Sequence, residues 1–210
     1  MSGREDESYG TKPLTWVDRL GVWMSARAVG QAVRRRFPGR RVRALDLGCG
    51  WHASLLVELR PLLSQGTCVD FHVSSQVSAI PGFQVIEGRV EEVLPRLEAG
   101  AYDLVTLINV LEHLQDDAGS LLGIRRLLSP GGLLVINVPT WAGKRALEFS
   151  AFSLGLSPRQ EMNDHKMYYG IRDLWPLLVR AGFRPSDLRL RHHKFGLNLF
   201  AEAVLGKAEP

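Results

Sequence analysis

Five short apolar runs, alternating with stretches of helical periodicity, constrain this chain more than any other feature. They read VRALDLG, GTCVDF, FQVIEG, YDLVTLINV and LLVINVP. Runs of this length, apolar almost throughout, behave as strands buried on both faces. Strands that alternate with helices form βαβ units, and right-handed crossovers stack these into a parallel sheet with helices on both sides. The chain is therefore expected to be α/β and doubly wound. Its end departs from that pattern. After a helix over 171–181 closed by Gly182, the runs RPSDLRLRHHK and FGLNLFAEAVL stand close enough to pair as an antiparallel hairpin. A parallel sheet that ends this way is not an ordinary dinucleotide-binding domain.

The stretch 14–37 reads as one or two amphipathic helices that put Leu14, Val17, Leu20, Trp23, Met24, Ala28 and Val33 roughly on one face, and Pro38-Gly39 stops them. Further helices are expected over 53–63, 90–97 and 111–128, the last broken near Asp116-Asp117. With 210 residues, 45% hydrophobic and 23% charged, the chain suffices for one domain with a sizeable core. Residues 1–13 are polar and read as a disordered tail, 14–40 as a helical cap, and 41–210 as the ligand-binding domain. No apolar run reaches the roughly 18 residues a membrane span needs, and MSGREDESYGTK does not have the pattern of a signal or transit peptide. The two cysteines, Cys49 and Cys68, lack metal-ligand spacing. A reducing, cytoplasmic setting follows as the expectation. The formal charge is +4, with Arg34, Arg35, Arg36, Arg40, Arg41 and Arg43 clustered at the end of this helical stretch and just beyond it. Such a cluster is either a solvated helix end or an anion site.

The segment ALDLGCGWHA, at 44–53, closes the first strand. Gly48-x-Gly50-x-x-Ala53 satisfies the dinucleotide spacing G-x-G-x-x-G/A, so the glycines alone do not choose a ligand. Asp70 ends the second strand 20 residues on, and an acid there accepts from the hydroxyls of any ribose. Asp46 discriminates. A carboxylate two residues before the loop would repel a pyrophosphate but favours a ligand carrying a sulfonium and an ammonium.

Four ordered segments, ALDLGCG with Asp70, YDLVTLINVLEHL, LLSPGGLLVINVP and LLVRAGF, together resemble the class I S-adenosylmethionine (SAM)-dependent methyltransferases. They are similar to the small-molecule branch (methyltransferase type 11) that includes ubiquinone-biosynthesis O-methyltransferases. The resemblance implies a Rossmann-like seven-stranded sheet of order 3-2-1-4-5-7-6 with strand 7 antiparallel, an N-terminal helical cap, and a lid inserted after strand 5 at 140–170. It implies SAM as cofactor and S-adenosylhomocysteine as product. By the same resemblance Asp46, Gly48, Cys49 and Gly50 line the methionine half, Asp70 holds the ribose with Phe71 beside the adenine, and Arg89 and Val90 follow strand three at the adenine edge. Arg89 stands where the family often has an acid, which passes the adenine contact to backbone groups or Glu91. Asn109 faces the methionine and the substrate. His52 replaces a usual glycine.

A hydroxyl acceptor needs a base within hydrogen-bond reach. His165, His113 and Tyr168 are the candidates, and the adjacent His192 and His193 alternate across a strand, so at most one points inward. Trp16, Trp23, Trp141 and Tyr169 are the candidate substrate wall, and Lys144, Arg145 and Lys166 add basic groups that suit a ring-bearing or partly anionic acceptor. A divalent metal through Glu112, His113 and Asp117 is the alternative that this segment leaves open. Asn109 weighs against it, because ubiquinone-branch relatives carry a further carboxylate there. The expected function is methyl transfer to a small-molecule hydroxyl, on a secondary metabolite, sugar or lipid-linked compound, by a monomer or homodimer. The alternative is an RNA or protein methyltransferase docking through Arg34–Arg43; without an appended RNA-binding segment, nucleic acid is not the expected partner.

Overall fold

The structure, a computed structural model, describes residues 14–143 and 168–206. Helix α1 (Trp16–Arg36) precedes β1 (Val42–Leu47), α2 (Ser54–Leu59) and β2 (Leu63–Asp70). Short helix α3 (Ser75–Ser78), β3 (Phe83–Glu87), short helix α4 (Val90–Val93) and β4 (Tyr102–Ile108) follow. Then come α5 (Asp117–Leu127), β5 (Leu128–Pro139), α6 (Ile171–Arg180), β6 (Leu188–His193) and β7 (Asn198–Val204). The seven strands form one sheet in the order β3-β2-β1-β4-β5-β7-β6. Strand β7 runs antiparallel to both neighbours and the other described pairings are parallel. This is the doubly wound sheet with a terminal hairpin that the sequence indicates.

Alternate residues of each strand feed two cores, as a pleated sheet buried on both faces requires. Leu45, Leu47, Val105, Leu107, Leu134 and Ile136 pack with α5 and α6 on one face. Ala44, Leu104, Leu133 and Val135 pack with α1 and α2 on the other. Pro61 and Pro95 lack an N–H for a continuing α-helix. The helices expected over 53–63 and 90–97 accordingly tighten into 3-10 turns at Arg60–Leu62 and Leu94–Arg96. Strand β2 therefore begins at Leu63, inside the stretch expected to be helical.

The apolar face expected of the first helix is corrected by the structure. A capping box starts α1, with Thr15 Oγ1 accepting from Asp18 N at 3.2 Å and Asp18 Oδ2 accepting from Thr15 N at 2.9 Å. Ala28 and Val33 are buried, but Leu14, Val17, Leu20 and Trp23 are exposed. The buried side also includes Ala26, Val29, Gly30 and Ala32. Small residues let two helices approach closely. A Cβ on Gly30 would lie 3.5 Å from a Leu59 methyl and 3.6 Å from a Leu62 methyl. Contact with α2 thus selects the small side of α1 over the large apolar one.

The arginine cluster meets acceptors of this chain. Arg35 pairs with Glu202, and Arg36 Nε donates to Gly131 O at 2.9 Å. Arg40 lies 2.9 Å from Asp103 Oδ1, and Arg43 donates to Asp103 Oδ2 through its backbone N at 3.0 Å and its Nε at 3.3 Å. Burial alone would raise the Asp103 carboxyl, but Arg43 and the Ser129 hydroxyl outweigh it and hold the carboxyl below its ordinary range. Asp103 is the second residue of β4, so these contacts gather at the amino edge of the sheet, opposite the glycine loop.

Candidate active site

Strand β1 has β2 on one side and β4 on the other. The order of the strands reverses there, and in open α/β sheets ligands bind beyond the carboxyl ends of the strands at such a point. Residues 48–50 turn the chain away from β1 at this place. Gly48 and Gly50 have φ of +73° and +71°, conformations that L side chains rarely adopt. The N–H groups of Gly48 and Cys49 both donate to Val69 O, at 2.8 and 3.1 Å. Gly50 N donates to Asp70 Oδ2 and Phe71 N to Asp70 Oδ1, each at 2.7 Å. The tip of β2 therefore holds the loop through the same carboxylate that is expected to take a ribose. Burial raises the Asp70 carboxyl, and these two N–H groups oppose the rise. Each oxygen keeps a lone pair for a further donor. Above Gly50 a Cβ would meet nothing within 4 Å, so the loop borders open space.

Asp46 lies behind the loop, only 2% exposed. It stands in register with Thr106 of β4, whose hydroxyl donates to its Oδ1 at 2.6 Å. Burial pushes the Asp46 carboxyl up to about 7; the Thr106 hydroxyl counters this in part and Asp70 adds to it. A cation brought into the crevice would favour the ionised form of both carboxyls. The tip of β4 closes the other side. Val110 fills the space beside Gly48, where a Cβ would come within 2.3 Å of its Cγ2. Asn109 takes a left-handed φ of +57° and donates its backbone N–H to Asn137 O at 2.8 Å. A glycine cradle between two carboxyls fits a sulfonium, an ammonium and a ribose, the charges and hydroxyls of SAM.

Residues 23–188 match the family described as "Methyltransferase domain". The chain belongs to that methyltransferase family. It is 27% identical over 194 residues to an uncharacterized 37.1 kDa protein in transposon TN4556 of Streptomyces fradiae, covering 87% of this chain and 55% of that protein. It is 32% identical over 113 residues to a ubiquinone biosynthesis O-methyltransferase of Xanthomonas campestris pv. campestris, covering 50% of this chain and 46% of that enzyme. The chain thus spans about half the length of the curated relatives it matches. The 1,6-didemethyltoxoflavin-N1-methyltransferase of Burkholderia thailandensis, solved with 1,6-didemethyltoxoflavin and S-adenosylhomocysteine, superposes with a TM-score of 0.63 at 16% identity. That alignment covers 95% of this chain and 94% of the other. The sheet order is that of class I, SAM-dependent methyltransferases.

Several expected site residues of this family member reach the carboxyl edge and others do not. Phe71 is exposed after β2, with the Arg89 guanidinium 5.7 Å from its ring centroid. Val90 turns its side chain into the core, which leaves only its backbone for a ligand. Glu91 Oε1 accepts from Gln115 N at 2.8 Å and so ties α4 to the segment before α5. The Cys49 thiol donates to Gly50 O at 3.4 Å, and the neighbouring Cys68 thiol and burial keep it neutral by pushing it far up. His113 is exposed on the 3-10 turn Leu111–His113, while Glu112 beside it is buried, which pushes its carboxyl up to about 8. The turn points the two side chains apart, and among the described residues no three His, Cys, Asp or Glu side chains gather as metal ligands would.

Trp141 is exposed, and its ring lies tilted at 43° to that of the buried Tyr168, with centroids 5.3 Å apart. Tyr169 is the wall candidate that follows Tyr168. It is 2% exposed, packs in the core, and donates its hydroxyl to Asp117 at 3.2 Å. Burial and Asp117 raise that phenol well above its ordinary value. Trp16 and Trp23 lie exposed on α1. His192 is exposed, while His193 tucks against Phe200 at 5.4 Å, so one of the pair points inward. His165, Lys144, Arg145 and Lys166 lie outside the described residues. Sequence reasoning missed Thr106, Asn137 and Asn198. The signal available was a polar residue inside an apolar run, Thr106 in YDLVTLINV and Asn137 in LLVINVP.

Proposed function

We propose that this chain transfers the methyl group of SAM to an oxygen of a small molecule. The observation that carries the reading is the glycine turn at 48–50 set between the Asp46 and Asp70 carboxyls and open above Gly50. In the bound state Asp70 accepts from the ribose hydroxyls, and Asp46 supplies negative charge on the side of the sulfonium and ammonium. When bound, SAM supplies an electrophilic methyl group whose bond to sulfur breaks with the electron pair left on sulfur. The chain holds the acceptor oxygen in line with that methyl, and such placement lowers a barrier by roughly 7–11 kcal/mol in well-oriented systems. Water-poor surroundings help, because positive charge disperses as the reaction proceeds. The hydroxyl proton passes to a base, for which His165 and the exposed His113 are the proposed candidates, with Tyr168 beside Trp141 at the edge of the site.

Oxygen as the accepting atom rests on the likeness to a ubiquinone biosynthesis O-methyltransferase. A small acceptor is supported by the arginine cluster, four of whose members contact Asp103, Glu202 and Gly131 away from the glycine loop. That arrangement offers little to a nucleic acid or an acidic protein near the crevice. Isothermal titration tests the reading: S-adenosylhomocysteine binds, NAD does not, and Asp70→Ala reduces the first affinity at least tenfold. Binding of NAD in place of S-adenosylhomocysteine would sink it. With a phenolic acceptor, loss of turnover in His113→Ala but not in His165→Ala assigns the base to His113; the converse assigns it to His165.

A further inference from the structure

At the crevice Asn109 is held by two other asparagines. Its Oδ1 accepts from Asn137 Nδ2 at 3.2 Å and from Asn198 Nδ2 at 3.3 Å. The three come from different strands: Asn109 follows β4, Asn137 lies near the end of β5, and Asn198 begins β7. Antiparallel β7 matters here, because its first residue arrives at the same edge where β4 and β5 end, with Asn198 in register with Pro139. Asn137 is fully buried. Its Oδ1 is a buried atom with no hydrogen-bond partner. An apolar residue of similar size would avoid that cost within LLVINVP, so what Asn137 contributes is its donation to Asn109.

These contacts also fix which end of each amide faces where. If all three amides were reversed, the Asn137 amino group would occupy the position where its oxygen now lies without a partner. Buried N–H groups without partners are rarer than under-satisfied carbonyl oxygens, so the observed orientation is the one favoured. Both lone pairs of Asn109 Oδ1 are then occupied. Its Nδ2 group, with two N–H donors, is engaged by neither asparagine, and Asn109 is exposed at the carboxyl end of β4, one residue before the Val110 that packs on Gly48.

Resting on the methyl-transfer reading above, we propose that Asn137 and Asn198 are positioning residues that turn the Asn109 amide donors toward the methyl acceptor and select an acceptor with an oxyanion or carbonyl oxygen at or beside its reacting atom. The crevice then has two chemical sides. Carboxyls Asp46 and Asp70 on the β1–β2 side suit a cation and a diol. The amide on the β4–β5–β7 side suits oxygen lone pairs and repels an ammonium. A phenol, enol or carboxylic acid fits that second side, and a simple amine does not.

The test uses the full chain saturated with S-adenosylhomocysteine, titrated at pH 7.5 with 4-nitrocatechol and, as a matched amine, 4-nitrophenethylamine. The parent is expected to bind the catechol at least tenfold more tightly than the amine. In Asn198→Asp the new carboxylate accepts where the amide donated, so it draws the Asn109 amino group away from the acceptor, against the remaining hold of Asn137. That variant should lose at least tenfold in catechol affinity and shift its preference toward the amine, with S-adenosylhomocysteine affinity changed less than twofold. Asn198→Ala, which removes one hold without reversing it, should lose less. Thermal melts confirm that each variant is folded. A parent that prefers the amine or binds neither probe overturns the proposal. So does an Asn198→Asp variant that keeps catechol affinity, or one that loses cofactor-product and catechol affinity alike, since Asn109 would then serve the cofactor. Failure of the parent to bind S-adenosylhomocysteine at all would instead overturn the methyl-transfer reading on which this inference stands.

Discussion

At the residue scale, Asp46 is a charge-bearing group placed where a charge is unfavourable. It is buried between strands with one short hydrogen bond from Thr106, and its carboxyl is pushed up to about 7. An aspartate that titrates so far above its ordinary value destabilises the folded chain once the pH makes it ionise. A stable core would have an amide or an apolar residue there, and a site that binds a cation needs the carboxylate. Asp46→Asn should therefore raise the unfolding free energy at pH 8 by ~2–4 kcal/mol, since each tenfold change in a group's proton affinity on folding is worth about 1.4 kcal/mol. The same substitution should lower SAM affinity at least tenfold. Urea unfolding gives the first quantity and calorimetric titration the second. If the variant gains stability and still binds SAM as the parent does, the carboxylate has no part in holding the sulfonium. Thr106→Val should act in the opposite sense on stability at pH 8, because it removes the donor that favours the ionised carboxylate.

At the scale of elements, the two glycines of the β1 turn share a backbone conformation and differ in surroundings. A Cβ on Gly48 would strike Val110, whereas one on Gly50 would point into open space. Gly48→Ala should therefore cost about 2–4 kcal/mol of stability, combining overpacking with a left-handed backbone. Gly50→Ala should cost about 1–2 kcal/mol, and its larger effect should fall on S-adenosylhomocysteine affinity, because the methyl group occupies the crevice. Equal stability losses in the two variants would show that the Val110 contact relaxes freely. This turn, the strands and the hairpin were legible in the sequence because period, length and glycine spacing are local signals. The inward face of α1 was not, since Gly30 and its small neighbours carry the contact while Leu14, Val17, Leu20 and Trp23 carry the apolar signal. Nor were the Asp46–Thr106 pair and the three asparagines legible. Each partner sits in a different strand, and only the register of the folded sheet brings them together. The family resemblance found the glycine loop and Asp70 but could not show that Asp70 already holds the loop, or that Tyr169 donates to Asp117 within the core.

For the whole molecule, these groups set how stability and ligand binding vary with pH. Asp46 and Glu112 have folded values of about 7 and about 8 against ordinary values of 3.8 and 4.5. Between those limits the folded chain keeps protons that the unfolded chain has released, so both carboxyls make stability fall as pH rises, with the loss complete above about 8. His193 acts at the other end. Burial, aided by Lys194 and Arg191, lowers it from 6.5 to about 4, so the unfolded chain takes up that proton first and stability falls as pH drops through that interval. From pH 6.5 upward the carboxyls act without His193, and the melting temperature of the ligand-free protein should decline steadily between pH 6.5 and 8. SAM brings a positive charge toward Asp46 and favours its ionised form, so binding should release a proton. Its affinity should rise between pH 6 and 8, approaching tenfold per pH unit at most for one linked group, and the decline in melting temperature should flatten when SAM is present. S-adenosylhomocysteine, which lacks the sulfonium, should show the weaker pH dependence of the two. Titrations in two buffers of different ionisation heat measure the proton release directly, and Asp46→Asn should abolish most of it. Proton release that persists in Asp46→Asn would move the linkage to Glu112 or Asp70 and separate Asp46 from the cation.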